Sequence, residues 1–201
     1  MFVVAAAGIA AAIAGWEAIG IPLIVVAAAL GAFFRDPERL SSAPESAIVS
    51  GADGRVCAIG VAPIPGIQSG AIYTLISVFM SPLDVHVNRA PVGGDVMSLE
   101  YVKGEFHAAF RDVAGAHNER NLIRIKDHAG RDHALVQVAG YLARRIVCRV
   151  RPHQRLERGQ RIGLIAFGSR VDHFLPRQCR VLVEVGDRVR AGETVIGEVT
   201  E

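Results

Sequence analysis

The dipeptide Gly168-Ser169 carries the clearest chemical signal in this sequence. Glycine leaves its carbonyl carbon unshielded and tolerates unusual dihedral angles, so a serine hydroxyl held in a strained turn can attack that carbon and convert the amide into an ester. If a base then removes the serine α-proton, the ester is eliminated, and hydrolysis of the resulting dehydroalanine releases ammonia and leaves a pyruvoyl group. The dipeptide therefore predicts a chain that cuts itself and makes its own electrophilic cofactor, although Gly-Ser is also common in ordinary turns beside strands.

Several short segments surround this dipeptide in a specific order. Four of them are residues 33–39 (FFRDPER), 52–56 (ADGRV), 81–91 (SPLDVHVNRAP) and 167–172 (FGSRVD), and between the last two lie 118–121 (NERN), 136–140 (VQVAG) and 143–147 (ARRIV). Any one of them could arise by chance, but their order and spacing together are specific. With these segments the chain resembles the short, bacterial and archaeal type of phosphatidylserine decarboxylase proenzyme over most of its length. Gly51 departs from that pattern, because a proline is more usual before the ADG segment.

The resemblance implies an Asp-His-Ser arrangement for self-cleavage, in which an imidazole oriented by a carboxylate activates Ser169. The aspartate carries over to Asp84 in the SPLDVH segment, where a turn or helix-capping role is the alternative. The histidine stays open between His86, in the same segment, and His133, which precedes the VQVAG run and is slightly favoured as the base. No fixed histidine is expected at His173.

The resemblance also implies the reaction. The pyruvoyl ketone on residue 169 would form a Schiff base with the amine of phosphatidylserine, decarboxylate it, and release phosphatidylethanolamine. A cationic side chain should receive the lipid phosphate, and the candidates are Arg89, Arg144, Arg145 and Arg170. For each of them a solvated surface role is an equally good interpretation.

Composition and charge narrow the alternatives. The formal net charge is +2 and aromatic residues make up 6% of the chain, which argues against a nucleic-acid partner. The three cysteines, Cys57, Cys148 and Cys179, are widely spaced, so neither a disulfide framework nor a metal site is indicated.

The first 34 residues are strongly apolar, and Glu17 is the only charged residue among them. This pattern predicts a hydrophobic helical membrane anchor at residues 1–34, either a hairpin that dips into one leaflet or a single span. Residues 18–34 would give a helix of about 26 Å, just short of the hydrocarbon core. Arg35 and Arg39 follow directly, which predicts the cell membrane as the location, with the soluble part on its cytoplasmic face. A cleaved signal peptide is disfavoured because no positive residue precedes the apolar run.

The remaining chain must supply the elements that position these residues. Residues 35–46 read as a linker, and from residue 47 onward short apolar runs alternate with Gly, Pro and Asp, which predicts a mainly β (α+β) decarboxylase domain over residues 47–201. Short helices are expected after Pro82 and near 140–144. The end of the chain is similar to half of a biotinyl or lipoyl hammerhead, but no lysine stands there to accept a prosthetic group. Cleavage would give a β chain of residues 1–168 and an α chain of residues 169–201 that remain associated, and a homo-oligomer stays open.

Two other functions remain alternatives. A membrane-anchored β-rich adaptor would keep Gly168-Ser169 as an inert turn and run on a denaturing gel as one chain of 21.4 kDa. A pyruvoyl decarboxylase of a soluble amino acid would have no need of the apolar leader.

Overall fold

The computed structural model describes residues 2–67, 70–109, 114–141, 145–165 and 168–199. The helices are α1 Phe2–Ile13, α2 Glu17–Phe33 and α3 Ala114–His117, and the strands are β1 Ala47–Val49, β2 Gly54–Ala62, β3 Tyr73–Met80, β4 Val87–Arg89, β5 Gly94–Val102, β6 Arg120–Asp127, β7 Asp132–Val138, β8 Ile146–Cys148, β9 Arg155–Leu156, β10 Arg161–Ile165, β11 Ser169–Leu175, β12 Cys179–Val181, β13 Arg188–Val189 and β14 Val195–Val199. The chain divides into two compact units, residues 1–37 and 38–201. The expected mainly β body is therefore confirmed.

The first unit is a pair of helices joined at Gly15, which has a φ of +82°. The helices approach closely at two glycines, since a Cβ on Gly20 would lie 2.6 Å from the backbone nitrogen of Ala12. Among the residues that the structure describes, no helix is both long and apolar enough to cross a bilayer. The spanning form of the predicted anchor is therefore unsupported.

The second unit is built from three antiparallel sheets. The largest has eight strands in the order β13-β2-β3-β11-β7-β6-β5-β9, and the smaller ones have the orders β1-β14-β12 and β4-β10-β8. Successive side chains of a strand point to opposite faces, so β3, β7 and β11 contribute to two separate apolar clusters. Met80 and Val171 lie in the larger cluster, whereas Val138 and Phe174 lie in the smaller one.

One local prediction needs correction. The segment after Pro82 forms a turn rather than a helix, because Asp84 closes it: its backbone N–H donates to the carbonyl of Ser81 at 3.0 Å, and its carboxylate accepts the Ser81 N–H at 2.8 Å. Within the expected linker, Arg39 belongs to the second unit, and its Nη2 donates to Asp53 Oδ2 at 2.8 Å. The helix expected near 140–144 falls largely outside the described residues.

Candidate active site

Ser169 is the first residue of β11 and is fully buried, with 0% of its surface exposed. Its hydroxyl donates to the sulfur of Met80, its register partner on β3, at 3.6 Å. Gly168 has a φ of +67°, in the left-handed region that favours glycine. A Cβ built on Gly140 would lie 1.8 Å from the carbonyl oxygen of Gly168, so the Gly140 backbone lies directly against the carbonyl that Ser169 would attack.

A series of buried amides leads to the same sulfur. Asn121 Nδ2 donates to Gln137 Oε1 at 2.9 Å, and Gln137 Nε2 donates to Asn88 Oδ1 at 2.9 Å. Asn88 Nδ2 then donates to the Met80 sulfur at 3.5 Å. Because each bond fixes the orientation of the next amide, this amide chain directs its last N–H at the atom that contacts Ser169.

His86 lies beside the strand that leads to the cleavage site. Its carbonyl accepts the N–H of Ile165 at 3.3 Å, three residues before Gly168, because β4 pairs with β10. The His86 side chain is buried. Asp84 is held two residues earlier, where Oδ2 accepts the Ser81 hydroxyl at 2.6 Å and Oδ1 lies 3.8 Å from Arg188 Nη2. The structure therefore brings the SPLDVH segment to the end of the sheet at which Ser169 lies.

His133 lies at the other end of that sheet. β7 runs antiparallel to β11 with Ala134 opposite Phe174 and Val138 opposite Arg170, which leaves His133 about 20 Å along the strands from Ser169 at roughly 3.3 Å per residue. Its Nε2 pairs with Asp127 at 3.1 Å, and burial lowers the pKa of the ring more than Asp127 raises it. The structure does not bring His133 to the cleavage site.

A pocket of about 1120 Å³ lies around His133 rather than around Ser169. Its lining includes Asp127, Arg131 and Leu156 but neither Gly168 nor Ser169. The volume of this pocket therefore gives no guide to where the serine chemistry takes place.

The four predicted phosphate-binding arginines are placed differently. Arg89 is buried and donates to the Gly159 carbonyl at 2.9 Å. Arg170 is buried against Asp172, with Nε 2.8 Å from Oδ1, and as the strand neighbour of Ser169 its side chain leaves the opposite face of the sheet. Arg145 is exposed, directly before β8, and Arg144 lies outside the described residues.

His173 lies four residues after Ser169 on β11, at a position where the sequence predicted no fixed histidine. It lies on the same face of β11 as Ser169 and is fully buried; its Nδ1–H donates to the Ile76 carbonyl at 3.1 Å, and its Nε2 accepts the Gly51 N–H at 2.7 Å. Burial lowers the pKa of this imidazole to about 4. The ring is therefore neutral at pH 7 and serves as a rigid connection between β11, β3 and the segment before β2.

Sequence reasoning also missed the roles of Met80 and the amide chain. The available signal was Gln137, an amide between Val136 and Val138 in an apolar run, since a buried polar group needs a partner. Its partner Asn88 comes from β4, a strand distant in the chain, so the two amides could not be paired from the sequence.

The chain is similar to known proteins over most of its length. A sequence profile described as phosphatidylserine decarboxylase matches residues 26–197. The chain belongs to the phosphatidylserine decarboxylase family. Three relatives named phosphatidylserine decarboxylase proenzyme illustrate the similarity. The protein from Erythrobacter litoralis is 45% identical over 99% of this chain and 84% of its own length. The protein from Nitrosomonas eutropha is 44% identical over 92% of this chain and 84% of its own length, and the protein from Magnetococcus marinus is 46% identical over 83% of this chain and 76% of its own length. The resemblance inferred from the motifs is confirmed. The region that matches the phosphatidylserine decarboxylase family contains every residue of the site described above.

Proposed function

We propose that this chain is a proenzyme that cleaves its own Gly168-Ser169 bond, and that the mature protein converts phosphatidylserine to phosphatidylethanolamine and carbon dioxide. One observation carries the proposal: a fully buried serine follows a glycine in the left-handed conformation whose carbonyl is pressed against Gly140. The names of the relatives, proenzymes of phosphatidylserine decarboxylation, support the same reaction.

Self-cleavage uses atoms of this chain and one water. The Ser169 oxygen bonds to the Gly168 carbonyl carbon, the carbon–nitrogen bond breaks, and the nitrogen takes up the hydroxyl proton, which gives an ester. A base then removes the α-proton of residue 169, the bond between its Cβ and Oγ breaks, and Gly168 leaves as a carboxylate. Water adds to the resulting dehydroalanine terminus after its tautomerisation, ammonia leaves, and a ketone remains.

Three side chains would support these steps. The Met80 sulfur holds the Ser169 hydroxyl in one rotamer, and because sulfur is a weak acceptor it leaves that proton easy to transfer. We propose His86 as the base, since its backbone is bonded to the strand that ends just before the cleavage site. Asp84 would orient it from the adjoining turn.

The residues present fit a pyruvoyl group, because Ser169 is buried against the Met80 sulfur, which also accepts the Asn88 amide, rather than in a purely apolar core. When formed, that group supplies a ketone for the substrate amine and a sink for the electrons released with carbon dioxide. The surrounding strands exclude water from residue 169. We propose that Arg145, which is exposed, attracts the lipid phosphate.

The two products of cleavage would stay together. β11 lies in the middle of the eight-stranded sheet, between β3 and β7, so breaking one peptide bond at its start leaves both ladders of hydrogen bonds intact. We further propose that the protein works at the cytoplasmic face of the cell membrane, supported by the apolar residues of α1 and α2 and by the arginine that follows them.

Intact mass of the purified protein tests the proposal directly. We expect two fragments, residues 1–168 and 169–201, the second lighter by one ammonia than simple hydrolysis would give, and we expect borohydride to reduce it. Ser169→Ala should remain one chain without activity, Asp84→Asn should cleave more slowly, and Ser98→Ala on β5 should behave as the native protein. An unbroken native chain without a reducible carbonyl would refute the proposal.

A further inference from the structure

The loops around the cleavage site expose large apolar side chains. Leu83 is 81% exposed in the turn that follows Met80, and Tyr141 is 64% exposed directly after Gly140. Met80 is the register partner of Ser169, and the Gly140 backbone lies against Gly168. The two exposed side chains therefore flank β11 on both sides, at the end where the reaction would take place.

Two arginines accompany these side chains. Arg145 is exposed and directly precedes Ile146, which pairs with Ile165 near the cleavage site. Arg188 is 73% exposed at its side chain and reaches toward Asp84, in the same turn as Leu83. We define the site rim as Leu83, Tyr141, Arg145 and Arg188.

We propose that the site rim is the surface that docks on the lipid bilayer and delivers a serine phospholipid to residue 169. This inference rests on the proposed function, because a diacyl lipid stays in the bilayer and the reacting end of the sheet must come to it. Aliphatic and tyrosine side chains insert at the acyl and headgroup boundary, while arginines attract the phosphates of anionic lipids. The pairing of exposed apolar and cationic groups at this one end is the pattern that such an interface needs.

The opposite end of the sheet offers matched controls. Val61 is 57% exposed near the end of β2 and is paired with Thr74, the residue that also faces Leu175 at the far end of β11. Ile72 is 46% exposed directly before β3, at that same end. Substitutions there change exposed apolar surface without altering the site rim.

The test compares two forms of the substrate with the full-length protein. Leu83→Asp, Tyr141→Asp and the double variant are assayed for carbon dioxide release from phosphatidylserine in vesicles and from a short-chain analogue that is monomeric in solution. We expect the double variant to lose about tenfold or more of kcat/KM on vesicles, since two apolar contacts with the bilayer become charged, while its activity on the monomeric analogue changes by less than about twofold. Val61→Asp and Ile72→Asp should match the native protein on both substrates.

Other outcomes separate the two proposals. Equal losses on vesicles and on the monomeric analogue, normal vesicle activity of the double variant, or vesicle losses in the Val61 and Ile72 variants would each overturn the docking surface. A change in oligomeric mass with loss on both substrates would assign the rim to contacts between copies of the chain instead. If the native protein released carbon dioxide from neither substrate, that result would instead count against the proposed function.

Discussion

Gly140 lies so close to Gly168 that a Cβ on the first would stand 1.8 Å from the carbonyl oxygen of the second. The contact is between two backbone segments, so no side-chain rotation could relieve it. The position of the carbonyl that Ser169 is proposed to attack is therefore set partly by the absence of a side chain on Gly140, just after β7.

Replacement of Gly140 should block maturation. Gly140→Ala must displace the Gly168 carbonyl, and because misplacement of reacting atoms by about 1 Å lowers rates about 100-fold, we expect self-cleavage to slow by that factor or more. Cleavage is followed on denaturing gels after synthesis of the chain. Gly60→Ala is the control, since a Cβ on Gly60, in the middle of β2, meets nothing within 4 Å. Cleavage of Gly140→Ala at the native rate would contradict this account.

The amide chain should matter for the first step of maturation. Asn88→Asp replaces the N–H that faces the Met80 sulfur with an oxygen, so Met80 and the Ser169 hydroxyl lose their fixed position. We expect cleavage to slow by about tenfold or more, as is typical when one orienting hydrogen bond is lost. Hydroxylamine breaks an accumulated ester, so it should restore little cleavage, because the delay comes before the ester forms.

Loss of stability alone must be separated from this effect. Val136→Ala removes buried apolar volume on the opposite face of the same sheet, and we expect it to lower the free energy of unfolding by about 1–2 kcal/mol while cleavage continues. Extensive cleavage of Asn88→Asp on addition of hydroxylamine would show that the ester forms normally and that Asn88 acts later.

The two candidate histidines make opposite predictions. We expect His86→Gln to prevent self-cleavage, since it removes the imidazole proposed as the base. We expect His133→Gln to cleave within about twofold of the native rate, since His133 lies at the far end of β7. The measurement is the fraction of processed chain against time. The reverse result would restore His133 as the base and require a rearrangement of the sheet before cleavage.

The choice between these histidines shows where sequence reasoning stopped. The apolar run that contains Gln137 was identified in the sequence, whereas the strand that begins at Ser169 was not predicted. Which end of the Gln137 strand lies beside Ser169 depends on the antiparallel register between residues 32 or more positions apart. That register is fixed by packing across the sheet rather than by the local sequence pattern. His86 and Asp84 belong to one contiguous motif, so their nearness in the chain could be read from the sequence, while the choice of His86 or His133 as base stays a prediction.

The turn at Asp84 illustrates a second limit. A proline followed by an aspartate fits both a helix start and a turn, and the outcome depends on which backbone groups the carboxylate binds. Here it binds the residue before the proline, Ser81, and closes a turn. The order of the segments along the chain was enough to identify the family. Side-chain partners such as Asn88 and Gln137 could be recognised only once the sheets were assembled, because the two residues lie on different sheets.

The stability of the uncleaved chain should depend on pH through His173. The folded pKa is about 4 whereas an unfolded histidine has a pKa of about 6.5, so between these values the unfolded chain binds the extra proton. The contribution of neutral His173 to the free energy of unfolding is complete above pH 6.5 and is lost as the pH falls toward 4. Between pH 7 and pH 5 we expect a decrease of about 2 kcal/mol in the free energy of unfolding.

Urea unfolding of the Ser169→Ala protein, which stays in one piece, measures this decrease. The matched protein carries His173→Leu in addition and should lose about 2 kcal/mol less over the same pH interval, because leucine takes up no proton. It should also be less stable at pH 7, since the Gly51 N–H and the Ile76 carbonyl lose their buried partner. Identical pH dependence in the two proteins would mean that the imidazole of His173 is not held neutral between β3 and the segment before β2.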